Sequence, residues 1–361
     1  MGALRRTSLL TAAAAAPVAL AYRFALLYRA HAGYPRQLPP LHVPGDVGLA
    51  FEPVAIPSGE LTLPGWFMPA NGGSPGPGVV LVHGWESARD RTLPLAGALN
   101  AAGFHVLAFD VRGNGDNAPE VLPVSAGEYG ADAAAAVRVL AARPEVTAVG
   151  IVGHSMGGAG ALIAAARESR VAAAVSTSSP ADPYRLTRLT FRLARLPIPA
   201  PVAAPLAWLT ARVFVRPRAH RLDDVSASRA AARYRGPLLL VHGELDEVVP
   251  VEHVGRLADE ARRARASSPG PSARVRVEVI PGGDHSYLYE RAAYRRLVAG
   301  FLAEALGGPT PAESADRAAA FDARRLPEPP IPDAIESGPA GATALLWLVL
   351  PARLLRWARR A

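Results

Sequence analysis

Between about residues 48 and 307, short apolar runs alternate with longer stretches of helical periodicity. Residues 78–82, 106–109, 149–152, 171–175, 238–241 and 275–280 are short, apolar and mostly β-branched, the pattern of strands buried on both faces. Helical periodicity occupies 92–102, 127–142, 158–168, 251–266 and 289–306. Strand–helix alternation at this pitch predicts an α/β fold built on a mostly parallel, doubly wound sheet. Ahead of it, 54–56 and 61–67 bracket Ser58-Gly59-Glu60, which predicts an antiparallel hairpin at the sheet edge. One stretch, about 180–233, breaks the rhythm with Pro197, Pro199, Pro201, Pro205 and Pro217. Lying between two core strands, it is expected to form a helical cap over the site.

Within that cap, Tyr184, Leu186, Leu189, Leu193 and Leu196 recur at helical spacing with Arg185, Arg188, Arg192 and Arg195 interleaved. Such a helix covers an apolar pocket, lies on an anionic interface, or simply solvates its arginines. The chain ends differ from the middle. Residues 1–44 hold Arg5 and Arg6, an apolar run from Leu9 to Ala21, then Arg23. The run falls short of the roughly 20 apolar residues of a spanning helix. It fits three roles: a membrane anchor with Arg23 snorkelling, a signal peptide with Ala19-Leu20-Ala21 at its cleavage site, or a helix packed on the domain. Arginines on both sides leave the orientation open. Residues 308–361 combine a proline-rich linker around Pro327 to Pro332 with an apolar, then basic, stretch from Ala344 to Trp357. Membrane association is therefore expected through the termini, with cytoplasmic or secreted placement as the alternative.

Composition narrows the partners. The net charge of +8 comes from arginine alone, since no lysine is present, and this looks like the coding bias of a GC-rich genome. With the positive charge read as spread along the chain, no nucleic-acid partner is expected. The absence of cysteine excludes disulfides, thiolate metal sites and a cysteine nucleophile.

The chemistry sits at three strand ends. Gly153-His154-Ser155-Met156-Gly157 is a G-x-S-x-G element directly after a strand and before a helix. A serine on so sharp a turn is pushed into the open, and the flanking glycines let strand and helix approach. Asp246 follows the strand 238–241, and His285 follows Gly282-Gly283-Asp284 after the next one. Taken singly, Asp246 fits a helix cap near Pro250 and His285 a loop histidine. The chain order Ser, Asp, His, each at a strand's carboxyl end, is the order expected of a nucleophile, an orienting acid and a base in such a fold. Glu244 is the back-up acid, while His83 and His154 are expected to support loop geometry and packing.

These residues resemble the α/β-hydrolase superfamily, and the likeness runs from about Val54 to Leu306. Val82-His83-Gly84-Trp85 resembles that family's His-Gly turn after the third strand. Phe109-Asp110-Val111-Arg112-Gly113-Asn114-Gly115 resembles its Asp-x-Arg-Gly-x-Gly segment, departing at Asp116 where serine is frequent. Gly84 to Asp90 and the inserted cap are similar to the serine aminopeptidase, lysophospholipase and acyl-esterase branch. The resemblance implies an oxyanion hole from the backbone N–H groups of Trp85 and Met156. It also implies an acyl-enzyme on Ser155 formed from an ester, thioester, amide or lipid acyl substrate, with no metal or organic cofactor. A lyase or cofactor-free peroxidase shares the same triad. From another class, a non-catalytic binding or membrane-scaffold protein on a hydrolase frame is the alternative.

Overall fold

A computed structural model describes residues 2–70, 74–266, 274–308, 310–324 and 326–327, with residues 2–14 given by backbone alone. Eight strands, β1 (Glu52–Ser58), β2 (Leu61–Met68), β3 (Gly76–Val82), β4 (His105–Phe109), β5 (Val146–His154), β6 (Val171–Thr177), β7 (Leu238–Gly243) and β8 (Val275–Ile280), form one sheet. Their order is β1-β2-β4-β3-β5-β6-β7-β8. β2 runs antiparallel to β1 and β4, and the remaining pairings are parallel. The predicted hairpin is present, with Ser58 paired to Leu61 around Gly59-Glu60. Pro53 and Pro57 are tolerated in β1 because it is an edge strand whose missing N–H groups can face outward.

Helices cover both faces. α2 (Leu93–Ala101), α9 (Ala292–Leu306) and α10 (Pro311–Ala320) lie on one side; α3 (Ala126–Ala141), α4 (Met156–Arg167), α7 (Ala227–Arg233) and α8 (Glu252–Ala266) lie on the other. Successive strand residues feed opposite cores, as pleating requires. Val80 and Leu240 join the α3–α4 side, and Leu81 and Leu239 join the α2–α9 side. That double burial is why these strands read as unbroken apolar runs. Each such side chain contributes about 1.5–3 kcal/mol on leaving water.

Three elements differ from the sequence expectation. Of the stretch expected to form a cap, α5 (Pro183–Leu193) and α6 (Ala200–Val215) line the cavity beside Ser155, whereas α7 sinks Ala227, Ala230 and Ala231 into the α4–α8 core. α10 is a helix ahead of the proline-rich stretch that the sequence reading did not place. Its hydrophobic signal is only Ala315 and Ala318, and it is held by Ser314 Oγ donating to Ala102 O and by Arg295 donating to Ala318 O. At the N-terminus, α1 (Gly2–Ala32) runs unbroken through Ala19-Leu20-Ala21. Its last turns bury Ala25, Leu27 and Ala30 against α6, whereas residues 15–20 of the apolar run are exposed. No helix among the described residues is long and apolar enough to cross a membrane. The stretch from Ala344 to Trp357 lies outside the described residues.

Candidate active site

Ser155 sits at the end of β5 with φ 54° and ψ −120°, in the left-handed half of backbone space that non-glycine residues avoid. The strain is sustained by crowding on both sides. A Cβ at Gly153 would lie 2.1 Å from Gly157 O, and one at Gly157 would lie 2.3 Å from the carbonyl oxygens of Val82 and His83. The Ser155 N–H donates to Thr177 O at 2.8 Å, pinning the turn to β6. Gly157→Ala is therefore expected to destabilise the protein by at least about 2 kcal/mol, since backbone cannot yield as a flexible side chain would. A fall in the thermal midpoint checks this, and an unchanged midpoint would contradict the packing.

The structure brings the three predicted side chains together. Ser155 Oγ stands 3.1 Å from His285 Nε2, and His285 Nδ1 stands 2.9 and 3.0 Å from the two Asp246 oxygens. Asp246 also accepts from the N–H groups of Val248 (3.0 Å) and Val249 (2.7 Å). Burial alone would raise its pKa, but hydrogen bonds from His242 and His285 and from Val249 outweigh that and hold the carboxyl well below the usual range. Asp246 is thus ionised, which fixes the His285 proton on Nδ1 and leaves Nε2 open toward Ser155. Glu244 is engaged elsewhere, accepting from Gly282 N–H at 2.8 Å.

His242 is the residue that sequence reasoning missed. Fully buried, its Nε2 lies 2.7 Å from Val249 O and 3.2 Å from Asp246 Oδ2, so it buttresses the acid from behind. Its place four residues before Asp246 was the available signal. His154 donates from Nε2 to His285 O at 2.7 Å, tying the His285 loop to the Ser155 turn.

His83 orients the loop after β3. Its Nε2 accepts from Val111 N–H at 3.0 Å, so the proton resides on Nδ1 and is donated to Gly84 O at 2.7 Å. Tyr129 Oη donates to the same carbonyl at 3.0 Å. Across a trans peptide the Trp85 N–H points opposite to that anchored carbonyl. Met156 N–H belongs to the first turn of α4, where helical amides lack intrahelical partners. Burial lowers the His83 pKa to about 4, against the opposing hydrogen bond to Gly84. The unfolded chain would take up this proton below about 6.5 and the folded chain only below about 4. Stability from His83 is therefore lost as pH falls across that window, by about 1.4 kcal/mol per unit. Denaturant midpoints at pH 7 and 5 should diverge less in His83→Gln than in the parent, and an identical pH slope would contradict it.

The Asp110 segment braces this loop. Asp110 pairs with Arg89 and accepts from the Asp116 N–H, and burial pushes its carboxyl up to about 6 despite the arginine. Asp116, the departure from the family pattern, accepts from Arg89 at 2.7 Å and so completes a carboxylate–arginine–carboxylate bridge.

Ser155, His285, Trp85 and Met156 open on one cavity of about 650 Å³. Its apolar walls come from the cap, through Leu186, Leu193 and Phe214, and from α1, through Tyr28. α1 is held there by Tyr28 Oη 2.7 Å from Thr190 Oγ1, by Tyr28 edge-on to Phe191, and by Arg29 donating to Val213 O at 2.9 Å. Two carboxylates line the cavity among the described residues, and both are engaged. Glu86 binds Arg36, and Asp182 binds Arg256, Ser226 and Ser228.

Residues 73–232 match the family model described as serine aminopeptidase, S33. The uncharacterized protein Rv2307c of Mycobacterium tuberculosis is 30% identical over 230 residues, spanning 63% of this chain and 69% of that protein. Human Protein ABHD12B is 27% identical over 236 residues, 63% of this chain and 61% of its own length. Among solved structures, the Pyrococcus furiosus esterase Pf2001 superposes with a TM-score of 0.59 at 22% identity, covering 76% of this chain and 98% of the esterase. Est1E from Butyrivibrio proteoclasticus, bound to ferulic acid, gives 0.53 at 20% identity, with 70% and 98% covered. These esterases share the fold, and the family match and the mycobacterial relative carry the assignment. The chain belongs to the α/β-hydrolase superfamily and is a serine hydrolase.

Proposed function

We propose that the enzyme hydrolyses esters of apolar acyl groups through an acyl-enzyme on Ser155. The observation that carries this is the cavity: mostly apolar, open to Ser155, and lined by carboxylates already paired with arginine. An aminopeptidase needs an anionic group for the substrate's ammonium, and Glu86 and Asp182 are committed elsewhere. An acyl chain needs only apolar wall, and cavities of 300–1,000 Å³ suit such ligands.

In this mechanism Ser155 Oγ attacks the acyl carbonyl while its proton passes to His285 Nε2. Asp246 holds the imidazole in the required tautomer and stabilises the imidazolium. The N–H groups of Trp85 and Met156 receive the developing oxyanion, a contribution of about 3–4 kcal/mol per donor in related sites. His285 then protonates the leaving alcohol, a water attacks the acyl-enzyme with His285 again as base, and the acid departs. Water is the only co-reactant.

The test is a panel of p-nitrophenyl esters of rising chain length set against aminoacyl anilides. Medium or long acyl esters should be preferred over acetate, with anilides turned over far more slowly. Faster anilide cleavage would overturn the substrate class. Tyr28→Ala, which widens the cavity, should shift the long-to-short ester preference by roughly tenfold, mostly in KM. Tyr28→Phe should not, and equal profiles for all three proteins would remove α1 from the acyl wall.

A further inference from the structure

The positive charge is not spread along the chain as the sequence reading held. Residues 1–45 and 183–222 carry 13 of the 39 arginines and none of the 31 carboxylates, leaving 26 arginines against 31 carboxylates elsewhere. In space the helical parts of these stretches, α1, α5 and α6, pack together, while Arg36 and Arg218 pair with Glu86 and Glu120 outside them. α1 packs on α6 and α6 on α5, with Phe24 edge-on to Phe191 at 5.4 Å between the first and the last.

The layer exposes apolar side chains to water. Val18 and Leu20 of α1 are 68% and 55% exposed, and Val202 and Trp208 of α6 are each 48% exposed. Arg188 and Arg192 of α5 and Arg195 just after it are exposed as well, and the Arg212 guanidinium lies 4.8 Å from the Trp208 ring centroid. Large apolar side chains left exposed on two packed helices mark an interaction surface. Its flanking charge says of what kind.

We propose that the α1–α5–α6 layer docks on an anionic lipid surface. Helices lying in the plane of such a surface sink Val, Leu and Trp among acyl chains while arginines meet the phosphates. A nucleic acid would meet the arginines but leave Val18, Leu20, Val202 and Trp208 uncovered, so lipid accounts for both halves of the surface. The layer rests on the surface rather than spanning it, since Arg23 interrupts the apolar part of α1 and no described helix is long and apolar enough to cross. Leu186, Leu193 and Phe214 of the same helices line the cavity beside Ser155, so docking brings the acyl pocket to the source of acyl chains. That last step rests on the acyl-ester reading; the docking itself does not.

The full-length chain is sedimented with vesicles of phosphatidylcholine, with and without a quarter of phosphatidylglycerol. Anionic vesicles should bind it at least about tenfold more tightly, with the preference fading at high salt. Val202→Ser with Trp208→Ser should weaken that binding by about tenfold or more. Arg188→Gln with Arg192→Gln and Arg195→Gln should weaken it by up to about a hundredfold, at about 1 kcal/mol for each arginine. Fluorophosphonate labelling reports folding in both variants, because none of these residues lines the catalytic cavity. Absence of anionic-vesicle binding by the parent, or binding indifferent to both sets of substitutions, overturns the proposal. So does complete displacement by a duplex oligonucleotide, which would make the layer a nucleic-acid surface. Failure of the labelling itself would instead count against the acyl-enzyme reading.

Discussion

Ser155→Ala is expected to remove ester hydrolysis while leaving the fold and its thermal midpoint nearly unchanged. The side chain lost is one hydroxyl, and its hydrogen bond is to His285 rather than to the core. The backbone of the elbow is fixed by Thr177 O and by the glycine contacts, all of which survive the substitution. A loss of about 10⁶ in kcat is the scale for deleting a nucleophile from such a unit. A residual acceleration of roughly 10³-fold over water would still be supplied by the oxyanion donors and by binding. Turnover of a p-nitrophenyl ester, with near-ultraviolet dichroism as the folding control, decides it. A variant that is folded and active at the parent rate would mean another nucleophile.

Asp246→Asn has the second-largest expected effect, a fall of about 10⁴ in kcat with KM little changed. The amide can present its NH₂ to His285, which favours the tautomer with the proton on Nε2 and so removes the base from Ser155. Two amide donors, Val248 and Val249, now aim at Oδ1, and His242 presents its ring from behind. These fix which way the new amide turns. Glu244→Gln should cost little, because Glu244 serves the Gly282 N–H and not the base. Comparable losses from the two substitutions would reverse the assignment of the acid.

The middle of the sheet was legible because its central strands are buried on both faces, so Val79 to Val82 and Leu238 to Val241 announce themselves by unbroken hydrophobicity, whereas the edge strand β8 alternates with Arg276 and Glu278. Ser155, Asp246 and His285 were legible for a related reason: each follows such a strand, where the chain must turn into a loop. His242 was not, since a histidine inside an apolar strand reads as core, and only the return of the chain at Asp246 gives it a carboxylate. α10 was hidden because alanine packs by fit rather than by hydrophobic contrast. For α1 the apolar run left three roles open, because the contacts that place its last turns in the cavity wall come from Tyr28 and Arg29, beyond the end of that run. Register against a cap helix depends on tertiary packing that local periodicity does not encode.

If Ser155 is an activated nucleophile, reaction with a fluorophosphonate followed by peptide mapping should give one stoichiometric adduct on Ser155, lost in Ser155→Ala and formed far more slowly in Asp246→Asn. No adduct on the folded protein, or an adduct on any other residue, would contradict it.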